Sequence, residues 1–195
     1  MKFDPDKHHR RSVRLRGYDY SSSGLYFITI CAYQRQCLFG EIVNGEMQLN
    51  PLGQIVETEW LKTPQIRPKW RLGEWIIMPN HIHGIVVIDQ QQKPLNHGNS
   101  ARAHGGAPLR DGTKLKGIAY RKPHSISSFV AGFKSATTKQ INLSCDRQRS
   151  PVWQRNYYDH IIRNELSLYQ IEQYIYKNSV TWHNDQLHPA NPSKY

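Results

Sequence analysis

His81 and His83 stand one residue apart in "MPNHIHGIV", and Tyr174 and Asn178 stand four apart in "YIYKN". Side chains of an extended strand repeat every two residues. Both imidazoles therefore project from one face, on roughly 6–7 Å of backbone, and can converge on one ion. Ile85 and Val87 share that face, while Ile82, Gly84, Val86 and Ile88 take the other. Two histidines seldom hold a metal alone. Helix positions four apart share a face, so the Asn178 amide could complete a two-histidine, one-oxygen site while the Tyr174 phenol points at the same centre. Each pair also has a plainer reading: solvated histidines at a strand end, and an amphipathic tyrosine followed by a frayed helix end. The chemistry that would link them is attack of the phenol on a phosphodiester. That requires the nucleophile held in line and the developing charge neutralised, as a divalent ion can do. Mixed N and O ligands suit Mg2+ or Mn2+, and the cysteine-rich pattern of structural zinc is missing from the sequence.

The bulk composition points the same way. The 195 residues suit one domain, 1–195, and 26 Lys+Arg against 15 Asp+Glu give a formal net charge of +11. Such an excess favours a polyanionic partner, usually nucleic acid. A membrane surface would also attract it, but no basic amphipathic helix, lipidation signal or long apolar segment is present in the sequence. The start, "MKFDPDKHHRRSVRLRG", is too charged for a secretion signal. Three cysteines without a CxxC predict a reduced, cytoplasmic chain.

The elements that would position the chemistry follow from periodicity. Residues 1–20 form a basic arm, and "GLYFITICAYQR" alternates as a strand. "CLFGEIVNGEMQLN" is a hairpin turning at Asn44-Gly45. "NPLGQIVETEWLKTPQI" is a helix capped by Asn50, with Pro51 first and Ile55, Trp60 and Leu61 making the apolar contacts. "KWRLGEWIIMP" and "HIHGIVVID" are strands joined at Pro79-Asn80. Residues 90–124 carry seven Lys/Arg against one Asp among glycines and prolines, which predicts a flexible basic loop. "SISSFVAGFKSATTKQIN" returns to helical spacing, "VWQRNYYDHIIR" is a fourth core strand, and a last helix begins at the cap Asn164 and buries Leu168, Ile171 and Ile175. Without the hairpin and last helix the order is β-α-β-β-α-β. That predicts an α+β, ferredoxin-like split βαβ fold, an antiparallel sheet with helices on one face.

"MPNHIHGIV", "VWQRNYYDHIIRNE" and "YIYKNSVTWHND" together resemble the single-tyrosine HUH transposases (IS200-like), and among them the REP-associated tyrosine transposases. The resemblance runs from about Gly24 to Asp185, with the three motifs in order. It implies His81 and His83 as metal ligands, Asn178 as the helix-borne third ligand, and Mg2+ or Mn2+ as the ion. Tyr174 would be the nucleophile, forming a 5′-phosphotyrosine link and freeing a 3′-hydroxyl on hairpin-bearing single-stranded DNA. It further implies a prokaryotic, nucleoid-associated protein acting as monomer or homodimer. One departure is Ser179, where the family pattern usually has proline; it leaves the end of the helix open.

Several other residues compete for roles. Tyr157 and Tyr158 are adjacent, so in a strand they face opposite ways, and Tyr176 lies about 200° around the helix from Tyr174. Phosphate contact is expected of Arg10, Arg11, Arg14 and Arg16 in the arm, of Lys114, Lys116, Arg121 and Lys122 in the loop, and of Arg163, each with a solvated surface charge as the alternative. Three other functions fit parts of the pattern: a hairpin-binding protein without chemistry, a metal-dependent phosphodiesterase using water, and an RNA-binding split βαβ domain. The last expects sheet-face aromatics where this chain offers histidines.

Overall fold

The structure is a computed structural model that describes residue 15 and residues 17–89, 122–145 and 150–191. Arg10, Arg11, Arg14, Arg16, Lys114, Lys116 and Arg121 lie outside the described residues, as does loop 90–124 up to residue 121. In chain order the elements are β1 (Gly24–Cys31), β2 (Gly40–Val43), β3 (Glu46–Leu49), α1 (Pro51–Leu61), α2 (Thr63–Ile66), β4 (Trp70–Met78), β5 (His81–Ile88), α3 (Ile126–Ser144), β6 (Tyr158–Ile162) and α4 (Glu165–Lys177). Single 3-10 turns follow β1 and α4. The main sheet is antiparallel in the order β4-β5-β1-β6, with β2 and β3 forming a separate ribbon. This is the split βαβ arrangement, with the two histidine-bearing positions on a central strand.

The alternation of β1 separates two cores. Tyr26, Ile28 and Ile30 enter the larger one, roofed by α1 and α3, where Trp60, Trp70, Phe129, Phe133 and Trp153 pack. Phe27 faces the other side, where Ile85, Ile162 and Ile175 form a smaller cluster beneath α4. Gly84 is required by close approach: a Cβ there would lie 2.4 Å from Trp60 Cζ2. The hairpin turn has Asn44 at φ 53° and Gly45 at φ 81°, the left-handed pair that a two-residue turn demands.

Three boundaries differ from the sequence reading. The helix expected from Asn50, with Pro64 and Pro68 closing it, ends at Leu61 and is followed by a separate turn of helix: Pro64 has no N–H to offer Trp60 O, and the Thr63 hydroxyl donates there instead, at 2.6 Å. Leu61 is consequently exposed, and Val56 takes the buried place beside Trp60. β1 stops at Cys31, since Gln34 and Arg35 turn left-handed (φ 52° and 57°). The last core strand is short. Residues 152–154 bridge to the chain beyond β1 through Ala32–Trp153, and Lys134 Nζ then draws in the carbonyls of Gln154 (2.7 Å) and Asn156 (2.9 Å), so regular pairing resumes only at Tyr158.

Candidate active site

His81 and His83 lie opposite Cys31 and Thr29 of β1, on the face covered by α4. Both rings are buried, at 0% and 3% exposure, and their centroids are 4.3 Å apart. That overturns the solvated strand-end reading. The hydrogen bonds fix the state of the His81 ring. Asn80 Nδ2 donates to the carbonyls of Arg35 (3.2 Å) and Leu187 (2.8 Å), so its Oδ1 faces His81 Nδ1 at 2.8 Å as an acceptor. His81 Nδ1 must carry the proton, which leaves a lone pair on Nε2. His81 Nε2 is buried without a hydrogen-bond partner. His83 Nδ1 meets Thr29 Oγ1 at 2.7 Å, and its Nε2 meets the Tyr174 hydroxyl at 3.1 Å. If that hydroxyl donates, His83 Nε2 also presents a lone pair.

The C-terminal half of α4 brings the other two residues. Leu168, Ile171 and Ile175 seat the helix on the smaller core, its start is capped by Asn164 Oδ1 accepting from Ser167 N at 2.8 Å, and Tyr174 and Asn178 arrive one turn apart. The helix ends at Lys177 with Asn178 as its right-handed cap, so Ser179 does not extend it. Tyr174 stays 41% exposed, open to a substrate at its edge. Asn178 is buried, and its Nδ2 donates to Asp185 Oδ2 at 3.0 Å while its Oδ1 has no partner. Asp185 is held in turn by Leu187 N, donating to Oδ1 at 2.6 Å. Its carboxylate and the two histidines offer ligand atoms within 4.8 Å of one another.

Burial sets the electrostatics. It pushes His81 down to about 3, opposed by the Asn178 amide, and lowers His83 with the help of its neighbour His81. Neutral imidazoles are the form that binds metal. Burial, and then the charge of Asp185, raise the Tyr174 phenol above its usual range. The donor set fits a divalent ion on an observation independent of resemblance: two buried ligand atoms, His81 Nε2 and Asn178 Oδ1, lack any hydrogen-bond partner, and His83 Nε2 lies beside them in contact with the Tyr174 hydroxyl.

The structure thus brings together His81, His83, Tyr174 and Asn178 and leaves two other candidates outside. Arg163 is exposed before α4, whose axis runs roughly 14 Å from Glu165 to Tyr174. Lys122 is exposed and bound to Asp19 at 2.5 Å, holding that carboxyl down at about 2. Tyr176 is exposed away from the site, and Trp153 is core, donating to Thr137. Thr29, Asn80 and Asp185 were not singled out from sequence. Only their places in quoted motifs, "MPNH" and "TWHND", could have marked the last two.

No protein-family model matches the chain. Among solved structures it is similar to a REP-associated tyrosine transposase bound to a REP hairpin, with TM-score 0.49 and 18% identity over 95% of this chain and 91% of that one. It is also similar to a Deinococcus radiodurans R1 chain described as a transposase, with TM-score 0.43 and 15% identity over 84% and 95%. Neither similarity is high enough to bear functional weight. A Haemophilus influenzae protein, described only as uncharacterized, is 44% identical over 189 residues, covering 96% of this chain and 97% of that one. On that identity, this chain and the Haemophilus influenzae protein belong to one family.

Proposed function

We propose that this protein is an HUH-type transposase that cuts and rejoins single-stranded DNA beside a hairpin, with Tyr174 as the nucleophile. The observation that carries the reading is the Tyr174 hydroxyl lying 3.1 Å from His83 Nε2, beside the unpartnered His81 Nε2 and Asn178 Oδ1. His81, His83 and Asn178 would hold Mg2+ or Mn2+. When bound, the ion supplies positive charge that polarises a non-bridging phosphate oxygen. The Tyr174 oxygen forms a bond to phosphorus as it loses its proton, the bond from phosphorus to the 3′ oxygen breaks, and that oxygen leaves as a hydroxyl after taking up a proton. The resulting 5′-phosphotyrosine keeps the bond energy for rejoining, so ATP is not needed. Packing of α4 on the smaller core limits the freedom of the phenol, Asn80 holds His81 in the tautomer that presents Nε2, and Thr29 anchors the His83 ring through Nδ1. The site would work in a monomer or a homodimer. REP-like or transposon-end hairpins in a prokaryotic nucleoid are the proposed targets.

The test is cleavage of hairpin-bearing single-stranded DNA with Mn2+ or Mg2+, then with EDTA, comparing wild type and Tyr174→Phe on denaturing gels. A metal-dependent covalent adduct that vanishes in Tyr174→Phe is expected. Cleavage without an adduct would indicate attack by water. Binding with neither would leave a hairpin-binding protein.

A further inference from the structure

A second feature lies on the opposite side of the same strand end. Between α3 and the segment 150–155 runs an open cleft of about 570 Å³. Its floor is Val152 and Trp153, and its walls carry Lys134, Lys139 and Arg155 with the hydroxyls of Thr138 and Ser150. Among the described residues no carboxylate lines it. Among the described residues none of the three cations is ion-paired. Their setting differs. Lys139 and Arg155 are exposed, whereas Lys134 is held by the carbonyls of Gln154 and Asn156, which fixes a positive charge in the wall. Fixed charge with exposed cations and hydroxyls, and without acids, is the chemistry that receives a phosphodiester backbone irrespective of base sequence.

Position ties the cleft to the candidate active site. Gln154 N donates to Cys31 O at 2.9 Å, and Cys31 stands opposite His81. The backbones of Gln154 and His81 are therefore two strand spacings apart, roughly 10 Å, with the cleft and the histidines on opposite faces of the sheet. We infer that the α3/150–155 cleft binds the phosphate backbone of the DNA whose adjoining strand enters the His81–Tyr174 site. The inference rests on the proposed function for its ligand, but its test needs no chemistry.

Binding would be measured by fluorescence anisotropy with a labelled DNA hairpin carrying a single-stranded flank, in EDTA, across a salt series. Wild type would be compared with the double variant Lys139→Gln/Arg155→Gln, whose side chains are exposed, and circular dichroism would check that it folds. The expected result is weaker binding with the slope of log Kd against log salt reduced by about 1–2, whatever the flanking sequence. An unchanged slope and affinity, with wild type binding well, would overturn the cleft and leave the active-site reading standing. Failure of wild type to bind any DNA would overturn both. Tighter binding of the RNA form of the hairpin, lost in the same variant, would overturn DNA as the ligand.

Discussion

At the scale of single residues, the site depends on how Asn178 is aimed. Its amide could rotate, and an amide turned round would offer N–H groups where a lone pair is needed. The bond from Nδ2 to Asp185 Oδ2 prevents this. Replacing Asp185 by alanine leaves Asn178 Nδ2 and Leu187 N without acceptors. We expect about 1–3 kcal/mol of lost stability and Mn2+ binding weakened about 10–100-fold, read by denaturant melts and calorimetric titration. Asp185→Asn keeps an acceptor and should recover part of both. Wild-type Mn2+ affinity in Asp185→Ala would remove Asp185 from the site. This residue also marks where reading the sequence ended. His81 with His83, and Tyr174 with Asn178, obey the periods of strand and helix. Asp185 reaches Asn178 only because the chain folds back after α4, and no period encodes a fold-back.

At the scale of elements, Gly84 shows why a histidine strand can be central. Directly after the second histidine, it lets the edge of the Trp60 indole press against β5 from the other face. Gly84→Ala would force that ring or the strand to move, because the contact would be 2.4 Å. The expected cost is about 1–3 kcal/mol, visible as a lower urea midpoint with unchanged slope. No loss would mean that Trp60 has room to shift. The elements built on strong alternation or a clear stripe, β1, β5, α3 and α4, were legible, as were the caps Asn50 and Asn164. The errors fell where a side chain competes for backbone groups. Thr63 takes the carbonyl that Pro64 cannot serve, and Lys134 pulls carbonyls out of what reads as continuous strand.

At the scale of the whole molecule, an ion bound by folded residues from β5 and the end of α4 should stabilise the fold. With Mn2+ at a hundred times its Kd the gain is about 2.7 kcal/mol, enough to raise Tm by several degrees in a chain of this size. EDTA should reverse the shift, and Tyr174→Phe should retain it. A melt indifferent to Mn2+ would argue against the metal centre while leaving the DNA cleft untouched. Among the described residues no helix is long and apolar enough to cross a membrane. The net charge of +11 favours a polyanionic counterpart.

The fold-back beyond α4 has a consequence for synthesis. Asn80 holds Leu187 across 107 residues, Arg35 holds Gln186 across 151, and the Tyr174 hydroxyl reaches His83 across 91. The histidines leave the ribosome well before Tyr174 and before Asp185, the residue that aims Asn178. A nascent or prematurely terminated chain would carry the ion-binding pair without the means to cut. On the proposed function, cutting would therefore wait until the segment after α4 has emerged and folded back on β5.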